Sequence, residues 1–324
     1  MKGFRRRITV MLALVLLLTC GQTAMAAGEI NTQATGSLRV YFGDSGKHFT
    51  GAAFSIYRVA EVSAEGTFSH VGYFAQYKDT VVLNGLNSDG WRALAQTLDA
   101  YVARDKPTPL RTVQTESDGW AAFSDLAPGL YLVTGEKYVS GRTAYVPETF
   151  LACIPGVHPE TGEWIYDVEV SVKFNSTTSP PEEDGTIDRK VLKVWRDDGD
   201  PSKRPERICV QLLRDGRVYD TVTLSEENNW RYTWTGLDED FTWRVVEAEV
   251  PEGYTVSVQR EGITFVLTNT YLSCTPSDPP LDRPSGNSGN KLPQTGSLWW
   301  PVPLLLCGGI LLLILGWGRR RHAR

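Results

Sequence analysis

The stretch Ile263-Thr-Phe-Val-Leu-Thr-Asn-Thr-Tyr271 alternates between side chains suited to a buried face and side chains suited to the opposite face. Successive side chains of a β-strand point to opposite faces, so this alternation indicates a strand. Four earlier runs alternate in the same way, at residues 191–195, 208–212, 230–234 and 241–247. Because turn signals such as Asp215-Gly216 separate the runs, residues 187–272 are predicted to form an all-β sandwich.

Three polar residues occupy apolar positions in these runs, namely Lys193, Glu247 and Asn269. If those faces point into the core, an amine, a carboxyl group and a carboxamide are buried on three strands. Burying a lone charged group is costly. The alternation leaves three interpretations open. Either the residues lie exposed at strand ends, or Lys193 and Glu247 pair inside, or the three groups are placed together for chemistry.

The motifs of this region have the order and spacing of a known stalk module. They are Lys193-Val-Trp, Arg204-Pro205, Gln211-Leu-Leu-x-Asp-Gly216, Trp230, Val245-Val-Glu247, Val250-Pro-Glu-Gly-Tyr254 and Thr268-Asn269-Thr270. The region closely resembles the Cna B-type repeat of collagen adhesins and pilins. The resemblance implies a spontaneous isopeptide bond between Lys193 and Asn269, with Glu247 as the assisting acid.

Burial suits that chemistry, because an amine attacks only in its neutral form and burial lowers the pKa of a lysine. Burial also raises the pKa of a glutamate, so a protonated Glu247 can donate to the amide oxygen. The reaction would release ammonia, about 17 Da, once per molecule, so it is maturation and not turnover. The bond would close a loop of about 77 residues, which by analogy with disulfides stabilises the fold by on the order of 4–5 kcal/mol.

Residues 36–174 have a looser strand pattern with one helix. Strand-like runs cover 38–42, 53–62, 120–123, 130–134 and 164–174. A helix is predicted near 88–104, capped by Asn87, Ser88 or Asp89. Its apolar stripe, expected to pack in the core, consists of Trp91, Leu94, Leu98, Tyr101 and Val102.

The stretch 119–133 of this first domain resembles the prealbumin-like domains of Gram-positive pilins, through its Gly-Trp-Ala-Ala-Phe and Pro-Gly-Leu-Tyr-Leu-Val segments. The expected fold is therefore mainly β, with two β-sandwich domains of Ig-like or prealbumin-like type, the first with one inserted helix. Two departures predict that this domain has no internal isopeptide bond. Arg39, which stays charged, lies where the family has its lysine, and Gly135 lies where it has its glutamate, with Glu136 out of phase.

Lys173 ends the run Trp164-x3-Val168-x-Val170-x2-Lys173, which partly resembles the pilin motif whose lysine joins the next subunit. The usual Tyr-Pro before that lysine is Ser171-Val172 here. The period of the run turns Lys173 toward solvent. That orientation fits an intermolecular pilin linkage, and it also fits an ordinary surface lysine.

Residues 1–26 have the layout of a secretory signal peptide: a basic start, an apolar run and a small-residue site at Ala24-Met-Ala26. The apolar run is short for a membrane anchor. Two segments of distinct composition lie further along the chain. Residues 175–186, which hold no apolar side chain, are predicted to be a linker, and residues 273–291, rich in Pro, Gly and Ser, an extended stalk.

Residues 292–324 combine a short motif, an apolar segment and a basic tail. The motif consists of Leu292, Pro293, Gln294, Thr295 and Gly296. The apolar segment 298–318 is long enough to span a bilayer, and the basic tail is predicted to stay in the cytoplasm. This order resembles the LPxTG sorting signal of Gram-positive surface proteins more than an ordinary tail anchor. The resemblance implies that a sortase cuts after Thr295 and joins the chain to a peptidoglycan precursor, anchoring it covalently to the cell wall.

Cysteine usage predicts no disulfide framework. Cys153, Cys209 and Cys274 remain between the two ends, an odd number without paired spacing. Cys209, between two apolar residues, is expected to be a small core residue.

Charge and motifs narrow the functional classes. The net charge is −5, and basic residues concentrate at the two ends, so the body is acidic, which argues against nucleic-acid binding. With four His, five Cys and no nucleotide loop, zinc helix or nucleophile elbow, we expect no cofactor, no metal site and no enzyme beyond the single-turnover reaction.

The expected function is that of a sortase-anchored structural or adhesive protein, similar to a minor or basal pilin that contacts other pilin subunits, or to a short adhesin stalk. One alternative is a ligand-binding adhesin whose first domain recognises a host matrix protein or glycan. Others are a polymerising pilus shaft subunit and a hydrolase.

Overall fold

Strand pairing builds most of the described chain, which comprises residues 28–44, 46–178, 185–198 and 200–272 of a computed structural model. In these ranges the chain forms 22 strands and one α-helix, so the predicted mainly β class is confirmed. The predicted signal peptide, stalk, LPxTG motif and membrane segment, with Cys274, lie outside the described residues. No helix within them is long and apolar enough to cross a bilayer.

The N-terminal region (residues 28–178) is a set of small sheets around its own apolar cluster. Its strands are β1 (Gly36–Tyr41), β2 (Gly43–Asp44), β3 (Lys47–His48), β4 (Ala53–Val62), β5 (Phe68–His70), β6 (Arg111–Gln114), β7 (Trp120–Leu126), β8 (Gly129–Gly135), β9 (Tyr138–Ser140), β10 (Thr143–Pro147), β11 (Phe150–Ile154), β12 (Gly156–Val157), β13 (Trp164–Ile165), β14 (Asp167–Ser171) and β15 (Phe174–Thr178). The largest sheet has the order β11-β8-β4-β5, with β6 also paired to β4. Smaller sheets are β14-β1-β7, β15-β10-β9, β12-β13 and β2-β3.

The C-terminal region (residues 185–272) has two sheets. Its strands are β16 (Thr186–Arg196), β17 (Arg207–Arg214), β18 (Arg217–Ser225), β19 (Arg231–Asp238), β20 (Trp243–Glu247), β21 (Tyr254–Glu261) and β22 (Thr264–Tyr271). One sheet has the order β19-β16-β22-β21 and the other β18-β17-β20. The first and last strands, β16 and β22, pair in parallel, so residues far apart in sequence become neighbours at the centre of a sheet.

The helix α1 (Ser88–Asp105) forms where the apolar stripe predicted it. Asn87 caps it, because its side-chain oxygen accepts a hydrogen bond from the backbone N–H of Gly90 over 2.8 Å. Lys106 ends it in the left-handed conformation, with φ of 51°. The whole predicted stripe is buried. Three short 3-10 helices, Gly72–Tyr77, Pro201–Lys203 and Glu226–Asn228, connect strands elsewhere.

The apolar stripe of α1 faces the C-terminal region as well as its own. The helix packs against β21 and β20, and one hydrophobic cluster includes Leu98 and Tyr101 together with Val245 and Val258. The described residues form a single compact unit. A shared apolar core joins the two regions. The expected division into two sandwich domains therefore stays a prediction.

The run 164–174 is not one strand, because the chain changes partners along it. Trp164–Ile165 pairs with β12, Asp167–Ser171 runs parallel to β1, and Phe174 already pairs with β10. The segment predicted to be a linker also begins in a strand, since residues 175–178 complete β15. Its Ser and Thr side chains suit an exposed strand. Composition alone does not distinguish such a polar strand from a linker.

Three predicted positions within the C-terminal region differ from the simple alternation. Trp230 precedes its strand with φ of 55°, and Tyr232, near the start of β19, is 41% exposed. Ile263 is 43% exposed because it lies in the turn between β21 and β22. Cys209 is exposed and not in the core, because the strand period that buries Ile208 and Val210 turns the residue between them outward.

Candidate functional site

Lys193, Glu247 and Asn269 come together inside the C-terminal region. Lys193 lies on β16 and Asn269 on the adjacent parallel strand β22. Asn269 is paired with Trp195, two residues beyond Lys193, so the two side chains are diagonal neighbours on one face. Glu247 ends β20 in the other sheet. The site therefore joins the two sheets across the core.

Glu247 lies between the other two side chains. The Lys193 Nζ donates to Glu247 Oε2 over 3.1 Å. The Asn269 Nδ2 donates to Glu247 Oε1 over 3.2 Å. The Asn269 Oδ1 is buried and accepts no hydrogen bond from any described residue. A lysine, a carboxyl group and a carboxamide are thus in direct contact, and the carboxyl group occupies the middle position.

The site excludes solvent, and this exclusion sets its protonation. The side chains of Lys193 and Glu247 are fully buried, and Asn269 is 0% exposed. Burial lowers the pKa of Lys193 to about 8, although the charge of Glu247 opposes the shift. Burial likewise raises the pKa of Glu247, against the opposing charge of Lys193. Because the two pKa values move toward each other, the pair gains access to a neutral state with an amine and a carboxylic acid.

Aromatic side chains form one wall of the site. The Lys193 Nζ lies 4.4 Å from the ring centroid of Trp195. That ring packs edge-on against Trp230 and Tyr254, at centroid distances of 5.1 and 5.2 Å. The sequence contained a signal for Trp195, which shares the face of Lys193. It contained none for Tyr101 of α1, which lines a cleft together with Glu247.

The arrangement suits exchange of an amide nitrogen. A neutral Lys193 Nζ would attack the Asn269 Cγ, the Cγ–Nδ2 bond would break, and the departing nitrogen would leave as ammonia. Glu247 is placed to take a proton from Nζ through one oxygen and to give a proton to Nδ2 through the other. The expected donation from Glu247 to the amide oxygen needs the carboxamide to turn by half a rotation, because its nitrogen faces Glu247 here.

With this geometry in view, the chain was compared with known proteins. The family model of the Cna protein B-type domain matches residues 189–270. That range contains the whole Lys193–Glu247–Asn269 site and all the strands of the C-terminal region except their outermost residues. We therefore refer to this region as the Cna B-type domain.

A curated relative of this domain is the collagen adhesin of Staphylococcus aureus. It is 37% identical over 103 residues, which make up 29% of this chain and 9% of the adhesin. The match thus spans less than a tenth of the adhesin's length.

Solved structures give weaker similarities. A single B repeat unit of the S. aureus collagen-binding surface protein has 19% identity and a TM-score of 0.26, covering 74% of this chain and 98% of that one. The minor pilin of Streptococcus agalactiae has 15% identity and a TM-score of 0.24, covering 76% and 99%. The basal pilin of Lactobacillus rhamnosus GG has 12% identity and a TM-score of 0.29, covering 71% and 85%. We assign no function from similarities this low.

The other predicted site residues lie apart from the Cna B-type site. Lys173 is exposed beside buried Val172, as its phase predicted, and its role stays a prediction. Arg39 is exposed on β1 and forms an ion pair with Glu169 at 2.6 Å. The LPxTG residues lie outside the described ranges. Among the residues described, no group of three His, Cys, Asp or Glu side chains could hold a metal ion.

Proposed function

We propose that this chain is a structural protein of the bacterial cell surface whose Cna B-type domain seals itself with an isopeptide bond between Lys193 and Asn269. One observation carries the proposal: Lys193, Glu247 and Asn269 are all buried and joined by hydrogen bonds, with Glu247 in the middle. A buried ion pair alone would not need a carboxamide whose oxygen is left without a partner. The reaction occurs once per molecule, so the chain is no turnover enzyme.

The same proposal places the chain at the cell wall. A sortase would cut the motif 292–296 after Thr295 and transfer the chain to a peptidoglycan precursor, which leaves a secreted, covalently anchored stalk. The supporting observations are the motif, the apolar segment 298–318 and the basic tail, in that order. Other pilin subunits, reached through the exposed Lys173, and a host matrix protein or glycan are the partners that fit such a stalk.

Intact mass spectrometry of residues 27–291 tests the bond. We expect a mass about 17 Da below the calculated value, because ammonia leaves when the amide forms. Lys193→Ala should have the full calculated mass, since it lacks the nucleophile. Lys190→Ala is the matched control: Lys190 is exposed on the same strand, so its variant should keep the deficit. Full mass in a folded wild-type sample would refute the proposal.

The rate of bond formation should depend on pH with a maximum near neutrality. At low pH both groups are protonated and Lys193 is an ammonium, which cannot attack. At higher pH the pair loses its last proton, so Glu247, although burial raises its pKa, can no longer act as an acid. The measurement is the converted fraction in freshly synthesised protein, quenched at timed intervals between about pH 5 and pH 10. A rate that keeps rising through this range would contradict a role for protonated Glu247.

A further inference from the structure

The N-terminal region covers the free edge of the Cna B-type sheet. Strand β21 is an edge strand, so the N–H groups on its outer side lack a partner strand. Three of these groups, at alternate residues, donate to the N-terminal region. Val256 N donates to Thr80 O over 2.8 Å, Val258 N to Thr97 Oγ1 over 2.8 Å, and Arg260 N to Gln96 Oε1 over 2.6 Å. Helix α1, together with the backbone at Thr80, thereby replaces a neighbouring strand along the middle of β21.

A charged contact joins α1 to the second sheet of the Cna B-type domain. The Arg244 guanidinium of β20 donates to both carboxylate oxygens of Asp99, through Nε and Nη2. The side chains are only 25% and 15% exposed, so the pair is shielded from salt and water. The β17–β18 turn also reaches the end of the helix, because a Cβ at Gly216 would collide with the Ala103 carbonyl oxygen. The helix therefore contacts both sheets.

These contacts bring Tyr101 of α1 to a cleft that Glu247 also lines. Tyr101 and Glu247 line the same cleft, which has a volume of about 190 Å³. Tyr101 is 3% exposed, and its ring stacks on Tyr77 with a centroid distance of 4.3 Å and an angle of 6°. The hydroxyl of Tyr77 donates to Asp105 over 2.6 Å, which anchors the stack at the end of the helix. Two stacked aromatic rings thus form part of the wall of the cleft that Glu247 also lines.

We infer that the docked N-terminal region completes the isopeptide site, with Tyr101 as a positioning residue that keeps water away from Glu247. This inference rests on the proposed bond. Removal of the ring would admit water to the carboxyl group, stabilise its charged form and favour the ammonium of Lys193. The reactive neutral pair would then be rarer, and the bond would form more slowly although Lys193, Glu247 and Asn269 are unchanged.

The rate of bond formation in residues 27–291 tests the inference. Protein made by cell-free synthesis is quenched in acidic denaturant at timed intervals, and intact mass gives the fraction that has lost about 17 Da. We expect Tyr101→Ala to slow the reaction by about tenfold or more. Tyr101→Phe, which keeps the ring, should react like wild type. Tyr138→Ala is the matched control, because that tyrosine packs in the separate N-terminal cluster.

A charge swap tests docking without touching the cleft. Asp99→Arg opposes Arg244 and should slow the reaction, and Asp99→Arg with Arg244→Asp should restore it. If circular dichroism shows that Tyr101→Ala is unfolded, the rates of Asp99→Arg and of the double variant decide whether docking is needed for bond formation. Wild-type rates in both folded Tyr101→Ala and Asp99→Arg would overturn the inference and leave the proposed bond intact. A wild-type chain that never loses the 17 Da would instead remove the proposed bond itself, so the two failures are distinct.

Discussion

Replacement of Glu247 by glutamine should slow isopeptide formation by about 10²–10⁴-fold, the range expected for loss of a general acid–base group. Among the described residues, Glu247 is the single side chain that hydrogen-bonds to both the attacking amine and the amide, at 3.1 and 3.2 Å. Glutamine has nearly the same shape and can still hydrogen-bond to both neighbours. It cannot take the proton from Lys193 or give one to the departing nitrogen.

The measurement is the timed loss of about 17 Da in freshly synthesised Glu247→Gln protein. Glu249→Gln is the control, because Glu249 lies two residues along the chain and is exposed, and its variant should react at the wild-type rate. Thermal unfolding of the unreacted Glu247→Gln protein establishes that the domain still folds. A folded Glu247→Gln variant that forms the bond as fast as wild type would show that Glu247 has no part in proton transfer.

Loss of the bond should have the largest effect on stability. Asn269→Ala cannot form the cross-link, which would close a loop of about 77 residues, so we expect a loss on the order of 4–5 kcal/mol. The described residues form one compact unit. For a cooperative unit of about 150–250 residues, that loss corresponds to a Tm lower by roughly 8–20 °C. Both partners lie on the strands that begin and end the domain, so the bond restricts almost the whole unfolded domain.

A double-mutant cycle separates the bond from local packing. Lys193→Ala removes the same bond from the other side, so the double variant Lys193→Ala with Asn269→Ala should unfold at nearly the Tm of the less stable single variant. Additive losses would mean that each side chain stabilises the fold by its own contacts. The unbonded Lys193–Glu247 pair, which costs desolvation on burial, would then be the relevant interaction.

Local sequence patterns determined the strands and the contents of the site. Alternation placed Lys193, Glu247 and Asn269 on the apolar faces of β16, β20 and β22 and left their burial open, and the structure shows all three buried. The helical periodicity placed helix α1, and Asn87, one of three candidate caps, is the residue that caps it. These predictions succeed because side-chain direction within a strand or helix depends only on the residue's position in that element. The alternation was read too far at Ile263, which lies in the turn before β22, and it did not predict the exposure of Tyr232 within β19.

Only the tertiary structure decided what covers these elements. Nothing near Tyr101 in the sequence indicates that it lines a cleft together with Glu247, or that Thr97 and Gln96 accept hydrogen bonds from strand β21. The apolar stripe of α1 required only that some apolar surface should meet it, and the core of the first region would have served equally well. The removal of apolar surface from water is non-directional, so an apolar stripe specifies only that the helix is covered. The assembled shape of both regions specifies which surface covers it.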